Sequence, residues 1–157
     1  MRNLWISVAV IAWAALAGSA VAAGMSGPMN GGEHFAFGHP GAPSAHAQVI
    51  HIKALDFSFE PKSIAVRRGE TVEFVISNDS KLTHEFVIGD AKLQAAHEKE
   101  MQTMPGMSMK HDVNGISLAP GQTRDLVWTF TRDGVVEYAC HVPGHFAAGM
   151  VGKIIIH

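Results

Sequence analysis

The sequence predicts an all-β fold, an antiparallel Greek-key sandwich or barrel with about seven to eight strands and one short helix in an insertion. Short segments rich in β-branched and aromatic residues recur from Val49 to the end of the chain. Apolar and polar residues alternate within them, as in strands with one face in a core. Turn-forming runs separate these segments, and helices that would connect parallel strands are not predicted between them.

The first segment, residues 1–23, has the pattern of a secretory signal peptide. Arg2 precedes the uncharged apolar run LWISVAVIAWAALAG, and the small residues of SAVAAG follow it. The alternative is an uncleaved membrane anchor, but the run is short for a span of about 20 residues. Cleavage after Ala22 or Ala23 would export a chain of about 134 residues, which is enough for one domain.

Residues 24–48 form a leader rich in Gly, Pro and Ala that lacks sustained periodicity, which predicts a flexible segment. Its side chains include several that can bind metals: Met25, Met29, His34, His39 and His46. These side chains are either solvated or capture copper weakly.

A domain is predicted over residues 49–157, beginning with strands in VIHIKAL, SIAV and TVEFVIS. The turn signals RRGE and SNDSK bound the third of these strands. In that strand Val72, Phe74 and Ile76 are expected to point to one face. The apolar segment HEFVIG is the next predicted strand.

An insertion, residues 91–115, interrupts the strands. Its first part, residues 91–104, consists of good helix formers and predicts a short helix. The strands resume with TRDLVWTF, VVEYAC and VGKIIIH. In the first of these, Leu126, Trp128 and Phe130 are expected to share the face that packs in a core.

Charge and cysteine content argue against a nucleic-acid-binding protein and against a disulfide-stabilised one. The chain has 12 basic and 14 acidic residues, a formal net charge of −2, and lacks a basic block, so nucleic-acid binding is not expected. The single cysteine, Cys140, rules out an internal disulfide. It is therefore a buried inert residue, a reactive thiol or a metal ligand. A free thiolate in an exported protein would be oxidised, so the third alternative, a cysteine bound to a metal, is favoured.

The segment ACHVPGHFAAGM places Cys140, His145 and Met150 at equal spacing. Copper that changes between two oxidation states is held well by soft sulfur combined with imidazole nitrogen, as in two histidines, a cysteine and a weak methionine. Three of these four ligands lie in this segment. The fourth is expected far upstream on a neighbouring strand, and His84, which follows a turn and opens a strand, fits that place.

These motifs resemble those of the cupredoxins, the type 1 (blue) copper family that includes plastocyanin, azurin, rusticyanin and auracyanin. The resemblance covers roughly residues 49–157: the histidine of HEF, the strand VEYACH, the loop with PGH and a last strand. The ligand spacing is most similar to that of rusticyanin and auracyanin. The resemblance implies one type 1 copper held by His84, Cys140, His145 and Met150, and single-electron transfer as copper cycles between Cu(I) and Cu(II).

The resemblance also implies an apolar patch at which the outer edge of His145 reaches the surface. The residues expected around it are Val142, Pro143, Phe146, Ala147 and Ala148. A transient redox partner would dock there. The protein is expected to be a monomer without nucleic-acid partners and without stable membrane insertion after signal cleavage.

Many cupredoxins have asparagine directly after the first histidine, whereas this chain has Glu85. Asn78 and Ser80 are therefore candidates for the hydrogen bonding at Cys140. His141 is expected to face away from the metal, because adjacent strand residues point to opposite faces.

The insertion contains four methionines flanked by His97 and His111, namely Met101, Met104, Met107 and Met109. Thioethers bind Cu(I) and have little affinity for hard ions. Alternatively, Met101 and Met104 face the core from the helix and the rest is loop. With the leader, this insertion makes the chain similar to periplasmic cupredoxins associated with copper tolerance. The second predicted role is therefore capture or buffering of copper in the periplasm.

Other functions need ligands that the sequence lacks. An oxidase or nitrite reductase would need further copper sites, for which no H-x-H pair or second domain is present, and a binuclear copper site would need two cysteines. An enzyme is therefore not expected. Structural zinc is an alternative to copper, but methionine is not a usual zinc ligand, so Met150 argues against it.

Overall fold

A computed structural model describes residues 35–103 and 113–157, which form two five-stranded sheets and one helix. The elements are β1 (Gly38–Pro40), β2 (Gln48–Ala54), β3 (Phe59–Glu60), β4 (Ser63–Val66), β5 (Thr71–Asn78), β6 (His84–Gly89), α1 (Ala91–Thr103), β7 (Gly115–Leu118), β8 (Thr123–Phe130), β9 (Gly134–Ala139) and β10 (Val151–Ile156). One sheet has the order β1-β8-β5-β2-β3 and the other β4-β10-β9-β6-β7. The predicted all-β sandwich with a short helix is confirmed.

Most neighbouring strands are antiparallel, but β2 pairs with β5 and β4 pairs with β10 in parallel. The chain passes through β4 in the opposite sheet on its way from β2 to β5. Such a crossing returns the chain in its original direction, and this allows parallel neighbours without a connecting helix. Local alternation carries no information on strand direction, so the sequence did not predict these two pairs.

The core lies between the two sheets and follows the predicted alternation. In β5 the side chains of Val72, Phe74 and Ile76 are buried, as expected from their period of two. In β8 the same holds for Leu126, Trp128 and Phe130. Aromatic rings join the sheets across the core: those of Phe59, Phe86 and Tyr138 contact one another. The hydroxyl of Tyr138 donates a hydrogen bond to the carbonyl oxygen of Pro61.

The prediction of a flexible leader over residues 24–48 is wrong for the part from Phe35 onward. Strand β1 pairs antiparallel with β8, and the side chain of Phe37 is buried. The rings of Phe35 and Phe37 pack against Trp128 with centroids 5.3 and 5.5 Å away. Contact with a distant tryptophan orders this segment, which is too short to show a period of its own.

Helix α1 matches the helix predicted for residues 91–104 to within one residue. It begins after Asp90, whose carboxylate accepts a hydrogen bond from the backbone N–H of Leu93 at 2.8 Å and so caps the first turn. The helix contacts β6 and β9 and buries Gln94 and Met101. Every residue of β6 is buried, because α1 covers the face of that strand that lies away from the core.

Several predicted features lie outside the described residues. These are the signal peptide (residues 1–23) and the side chains of Met25, Met29, His34, Met104, Met107, Met109 and His111. His39 and His46, which belong to the described part, are exposed. Within the described ranges, α1 is too short and too polar to cross a bilayer, and no other helix there could do so.

Candidate metal centre

Three of the predicted ligands meet at one end of the sandwich. His84 opens β6, Cys140 directly follows β9, and these two strands pair antiparallel with Val87 opposite Ala139. The side chains therefore come together although they lie 56 residues apart in sequence. The Sγ atom of Cys140 lies 3.8 Å from Nδ1 of His84 and 3.4 Å from Nδ1 of His145. All three residues are buried, and their donor atoms lie within 4.8 Å of one another.

The spacing of these donors fits a transition metal. A metal bonded to sulfur at about 2.3 Å and to nitrogen at about 2.0 Å in a trigonal plane separates those two atoms by about 3.7 Å. The two sulfur–nitrogen distances, 3.8 and 3.4 Å, lie on either side of that value. One thiolate and two imidazoles also combine the soft and intermediate donors that suit both oxidation states of copper. The residues present therefore fit a copper ion.

Ser80 and Asn78 orient the ring of His84. The Ser80 hydroxyl donates to Oδ1 of Asn78 at 3.0 Å, so it accepts a hydrogen bond from Nε2 of His84 at 2.7 Å. The proton on Nε2 leaves the lone pair on Nδ1, the nitrogen that faces Cys140. The amide of Asn78 donates to the carbonyl oxygens of Leu82 and Leu118, which fixes the turn before β6. The expectation that these two residues would bond to Cys140 is wrong, because they hold His84 instead.

The hydrogen bond at Cys140 comes from the backbone of Glu85. The N–H group of Glu85 points at the sulfur, with a nitrogen–sulfur distance of 3.3 Å. Burial raises the pKa of the Cys140 thiol to about 11, although the backbone amides of Glu85 and Val142 act in the opposite direction. Burial lowers the pKa of His84 and of His145 below the usual 6.5. Without a metal, the cysteine is therefore protonated and both histidines are neutral at pH 7.

Copper binding is expected to release about one proton between pH 7 and pH 9, because only the Cys140 thiol must lose a proton in that range. A proton competes with the metal for sulfur, so the apparent affinity should rise about tenfold per pH unit there. The dependence should steepen only at more acidic pH, where the histidines begin to take up protons, because burial lowers the pKa of both below its ordinary value. Calorimetric titrations in buffers of different ionisation enthalpy measure the proton count, and a value of zero would contradict the protonated thiol.

The ligand loop (residues 140–150) is closed by its own backbone. The N–H of Cys140 donates to the carbonyl oxygen of Met150 at 3.1 Å, and the N–H of Met150 donates to that of His145 at 3.0 Å. Gly144 and Gly149 adopt φ values of +89° and +87°, a region that glycine enters without strain. The side chain of Met150 is fully buried. The fourth predicted ligand is thus held by backbone bonds to two of the others.

The predicted apolar patch is present, but His145, whose outer edge was expected to reach the surface, is almost fully buried. Val142 and Phe146 are half-buried, whereas Pro143, Ala147 and Ala148 are exposed. His145 is only 5% exposed, because the ring of Phe57, itself 52% exposed, lies edge-on against it with centroids 5.1 Å apart. Sequence reasoning did not identify Phe57. It lies in the LDFSF turn between β2 and β3, and nothing in the local pattern connects that turn to the ligand loop.

Two other residues that the sequence analysis named, His141 and Met101, belong to the described part of the chain. His141 follows Cys140 but is not part of the donor group, and its ring nitrogens contact Gln94 and Glu98 of α1. Met101, in the last turn of α1, is buried. The other three methionines of the insertion lie outside the described residues.

Comparisons with known proteins agree with this geometry. The family model of copper-binding proteins of the plastocyanin/azurin family matches residues 46–157. The chain is 41% identical over 121 residues to the copper-resistant cuproprotein CopI of Rubrivivax gelatinosus, across 76% of this chain and 73% of the relative. It is 37% identical over 149 residues to CopI of Pseudomonas aeruginosa, across 77% and 82% of the two chains.

A solved structure shares the fold. Reduced auracyanin from the photosynthetic bacterium Roseiflexus castenholzii has a TM-score of 0.61 at 22% identity, over 71% of this chain and 98% of that chain. The family match covers the two sheets from β2 onward together with the ligand loop, including His84, Cys140, His145 and Met150. The chain therefore belongs to the plastocyanin/azurin family of copper-binding proteins.

Proposed function

We propose that this protein holds one type 1 copper through His84, Cys140, His145 and Met150 and transfers single electrons in the periplasm. The observation that carries the proposal is the convergence of three buried donors from β6, the end of β9 and the ligand loop. These three residues supply two nitrogens and one sulfur, and Met150 offers a weak thioether as the fourth donor. Neither role considered below requires the protein to be an enzyme.

The chain's own residues keep the centre rigid and dry. Copper bound there supplies one-electron chemistry, since it is stable as both Cu(I) and Cu(II) in such a donor set. Ser80 fixes the ring of His84, and the N–H group of Glu85 stabilises negative charge on the sulfur. Burial of all three donors excludes water. Donors held in this way move little when the metal charge changes, which favours fast electron transfer.

A transient redox partner would dock on the apolar patch over His145. Exposed Phe57 and Pro143, with the alanines of the ligand loop, form a surface that a partner could cover briefly. The ring of His145 lies directly beneath it. The protein would act as a monomer, without nucleic-acid partners and without stable membrane insertion after signal cleavage.

The test of this function is to add Cu(II) to the metal-free protein and to measure both its absorption and its electron exchange. An intense visible thiolate-to-copper band and rapid exchange between the reduced and oxidised forms are expected. Absence of the band from a folded, copper-loaded sample would exclude the type 1 site. A band with slow exchange would favour a storage role instead.

Met150→Leu is expected to keep copper bound and to raise its reduction potential. Leucine keeps the buried volume but removes the thioether, a donor that stabilises Cu(II) weakly. Voltammetry of the parent and the variant measures the difference. An unchanged potential would mean that Met150 is not a ligand.

The second candidate function is copper tolerance, in which the same centre and the methionine-rich segment capture or buffer periplasmic copper. It is favoured by the two relatives named as copper-resistant cuproproteins. The methionines concerned are Met101, Met104, Met107 and Met109, which would bind an additional Cu(I). The leader's histidines would add weak capture of Cu(II).

Two measurements separate these roles. Deletion of the gene should cause sensitivity to raised copper if the role is tolerance, and a respiratory defect at ordinary copper if the role is electron transfer. Anaerobic Cu(I) titration of protein lacking residues 24–34, a deletion that keeps β1 and the buried Phe37, should give a stoichiometry above one that falls to one when the four methionines become leucines. A stoichiometry of one in both proteins would leave the segment without a copper site.

A further inference from the structure

Glu85, His141 and Phe146 directly follow three of the proposed ligands, and together with His97 of α1 they form a chain of contacts. Glu85 follows His84, and its Oε2 atom lies 3.9 Å from Nε2 of His97. The ring of His97 meets the ring of His141, which follows Cys140, with centroids 4.6 Å apart at 85°. The ring of His141 stacks on Phe146, which follows His145, at 4.8 Å and 20°. One connected layer of side chains therefore lies behind the donor group.

Helix α1 contributes three side chains to this layer, all from one face of the helix. Gln94, His97 and Glu98 are spaced three and four residues apart, so they lie side by side on the helix. We call these three residues the α1 clamp. Gln94 is 1% exposed and donates its amide to the carbonyl oxygens of Val87 in β6 and Glu137 in β9, at 2.9 and 3.2 Å. It thereby ties together the two strands that carry His84 and Cys140.

Both ring nitrogens of His141 contact the clamp. Because Gln94 donates through its amide nitrogen, its Oε1 atom accepts the hydrogen bond from Nε2 of His141 at 2.7 Å. Nδ1 of His141 lies 2.9 Å from Oε2 of Glu98, whose other oxygen accepts a hydrogen bond from Gln102 at 3.0 Å. The side chain of His141 is fully buried. Its ring, and with it the backbone next to Cys140, therefore has one supported orientation.

We propose that Gln94 and Glu98 are positioning residues of the copper centre: they fix His141 and, through it, the positions of Cys140 and the ligand loop. Neither residue contacts the metal donors. Their effect passes through the peptide bond from His141 to Cys140 and through the stacked ring of Phe146. This inference rests on the ligand set proposed above. It assigns α1 a function in the centre, in addition to covering β6.

The test compares two clamp variants of the full chain with one matched control. Glu98→Gln removes the charge and keeps the shape, since an amide can still hydrogen-bond to Nδ1 of His141. Gln94→Leu removes the bonds to both strands and to His141. Glu100→Gln makes the same charge change on an exposed residue of the same helix and serves as the control.

Copper-loaded samples are compared by visible and electron paramagnetic resonance spectra, reduction potential and copper affinity. Glu98→Gln should displace the visible band and the potential, and Gln94→Leu should weaken copper affinity by up to about tenfold, at or below the 10- to 100-fold loss that follows removal of a group hydrogen-bonded directly to a ligand. Glu100→Gln should match the parent. If both clamp variants keep the parent's spectra, potential and affinity while only their melting temperature falls, the clamp merely supports the fold and the inference is wrong.

A metal-free measurement separates this inference from the proposed function. Amide hydrogen exchange at Cys140 and Met150, whose N–H groups close the ligand loop, should be faster in apo Gln94→Leu than in the apo parent and the control. Should Gln94→Leu not fold, the same comparison is made with Glu98→Gln. Unchanged exchange would overturn the positioning role. Faster exchange in a protein whose parent shows no visible copper band would uphold the positioning role and refute the proposed ligand set.

Discussion

Cys140→Ser is expected to abolish the intense visible absorption of the copper-loaded protein. The band requires a thiolate bonded to copper, and a serine hydroxyl is a hard donor that does not replace it. The fold should persist, because the core is built by the two sheets and the new hydroxyl can accept the hydrogen bond from the N–H group of Glu85. Loss of stability in the metal-free form should stay within about 2 kcal/mol.

The measurement is an absorption titration with Cu(II), accompanied by circular dichroism and thermal unfolding of both metal-free proteins. The metal-free parent is the control for folding. A variant that folds and lacks the band identifies the sulfur as a donor. If the band survives in the serine variant, Cys140 is not a copper ligand and the proposed centre is wrong.

Copper is expected to raise the unfolding free energy by about 4 kcal/mol at a free concentration of about 1,000 times Kd. The donors of His84 and Cys140 lie 56 residues apart in sequence and meet only in the folded chain, so the site exists in the native state alone. For a domain of this size the gain corresponds to a rise in Tm of roughly 10–20 °C.

Thermal unfolding with and without saturating copper measures this effect, with Cys140→Ser as the matched control. The control should gain little, since it has lost the strongest donor. The metal-free parent should still unfold in one cooperative transition, because its core does not depend on the metal. Equal melting temperatures for the loaded and metal-free parent would contradict a site formed by the native fold.

Much of the fold could be predicted from the local pattern of apolar and polar residues. The alternation in TVEFVIS and TRDLVWTF predicted which side chains of β5 and β8 are buried, because one face of a strand in a sandwich always meets the core. The helix formers after Asp90 predicted α1. The short elements β1, β3 and β7 were missed. Strands of two or three residues, such as β1 and β3, are too short for a period to emerge. Strand β7 has four residues, and its pairing with β6, like that of β1 with β8, is a long-range contact that the local pattern does not indicate.

In the candidate site, too, the sequence predicted the residues that lie close together in the chain more readily than the contacts between distant ones. Cys140, His145 and Met150 lie in one loop, so their spacing in the sequence was enough to group them. His84 was found only by asking which distant histidine opens a strand. The hydrogen bond from His84 to Ser80 was not foreseen, and neither was the N–H of Glu85 at the sulfur. Both depend on the exact course of the backbone between β5 and β6.

The sequence by itself determined the class of fold, the metal-binding loop and the chemical character of the donors, because periodicity and spacing are properties of neighbouring residues. Only the tertiary structure decided that β6 and β9 lie side by side, that Phe57 covers His145, and that α1 holds His141 through Gln94 and Glu98. These contacts join residues tens of positions apart. They arise from strand pairing and burial in three dimensions. The local sequence pattern does not specify which distant strands pair or in which register.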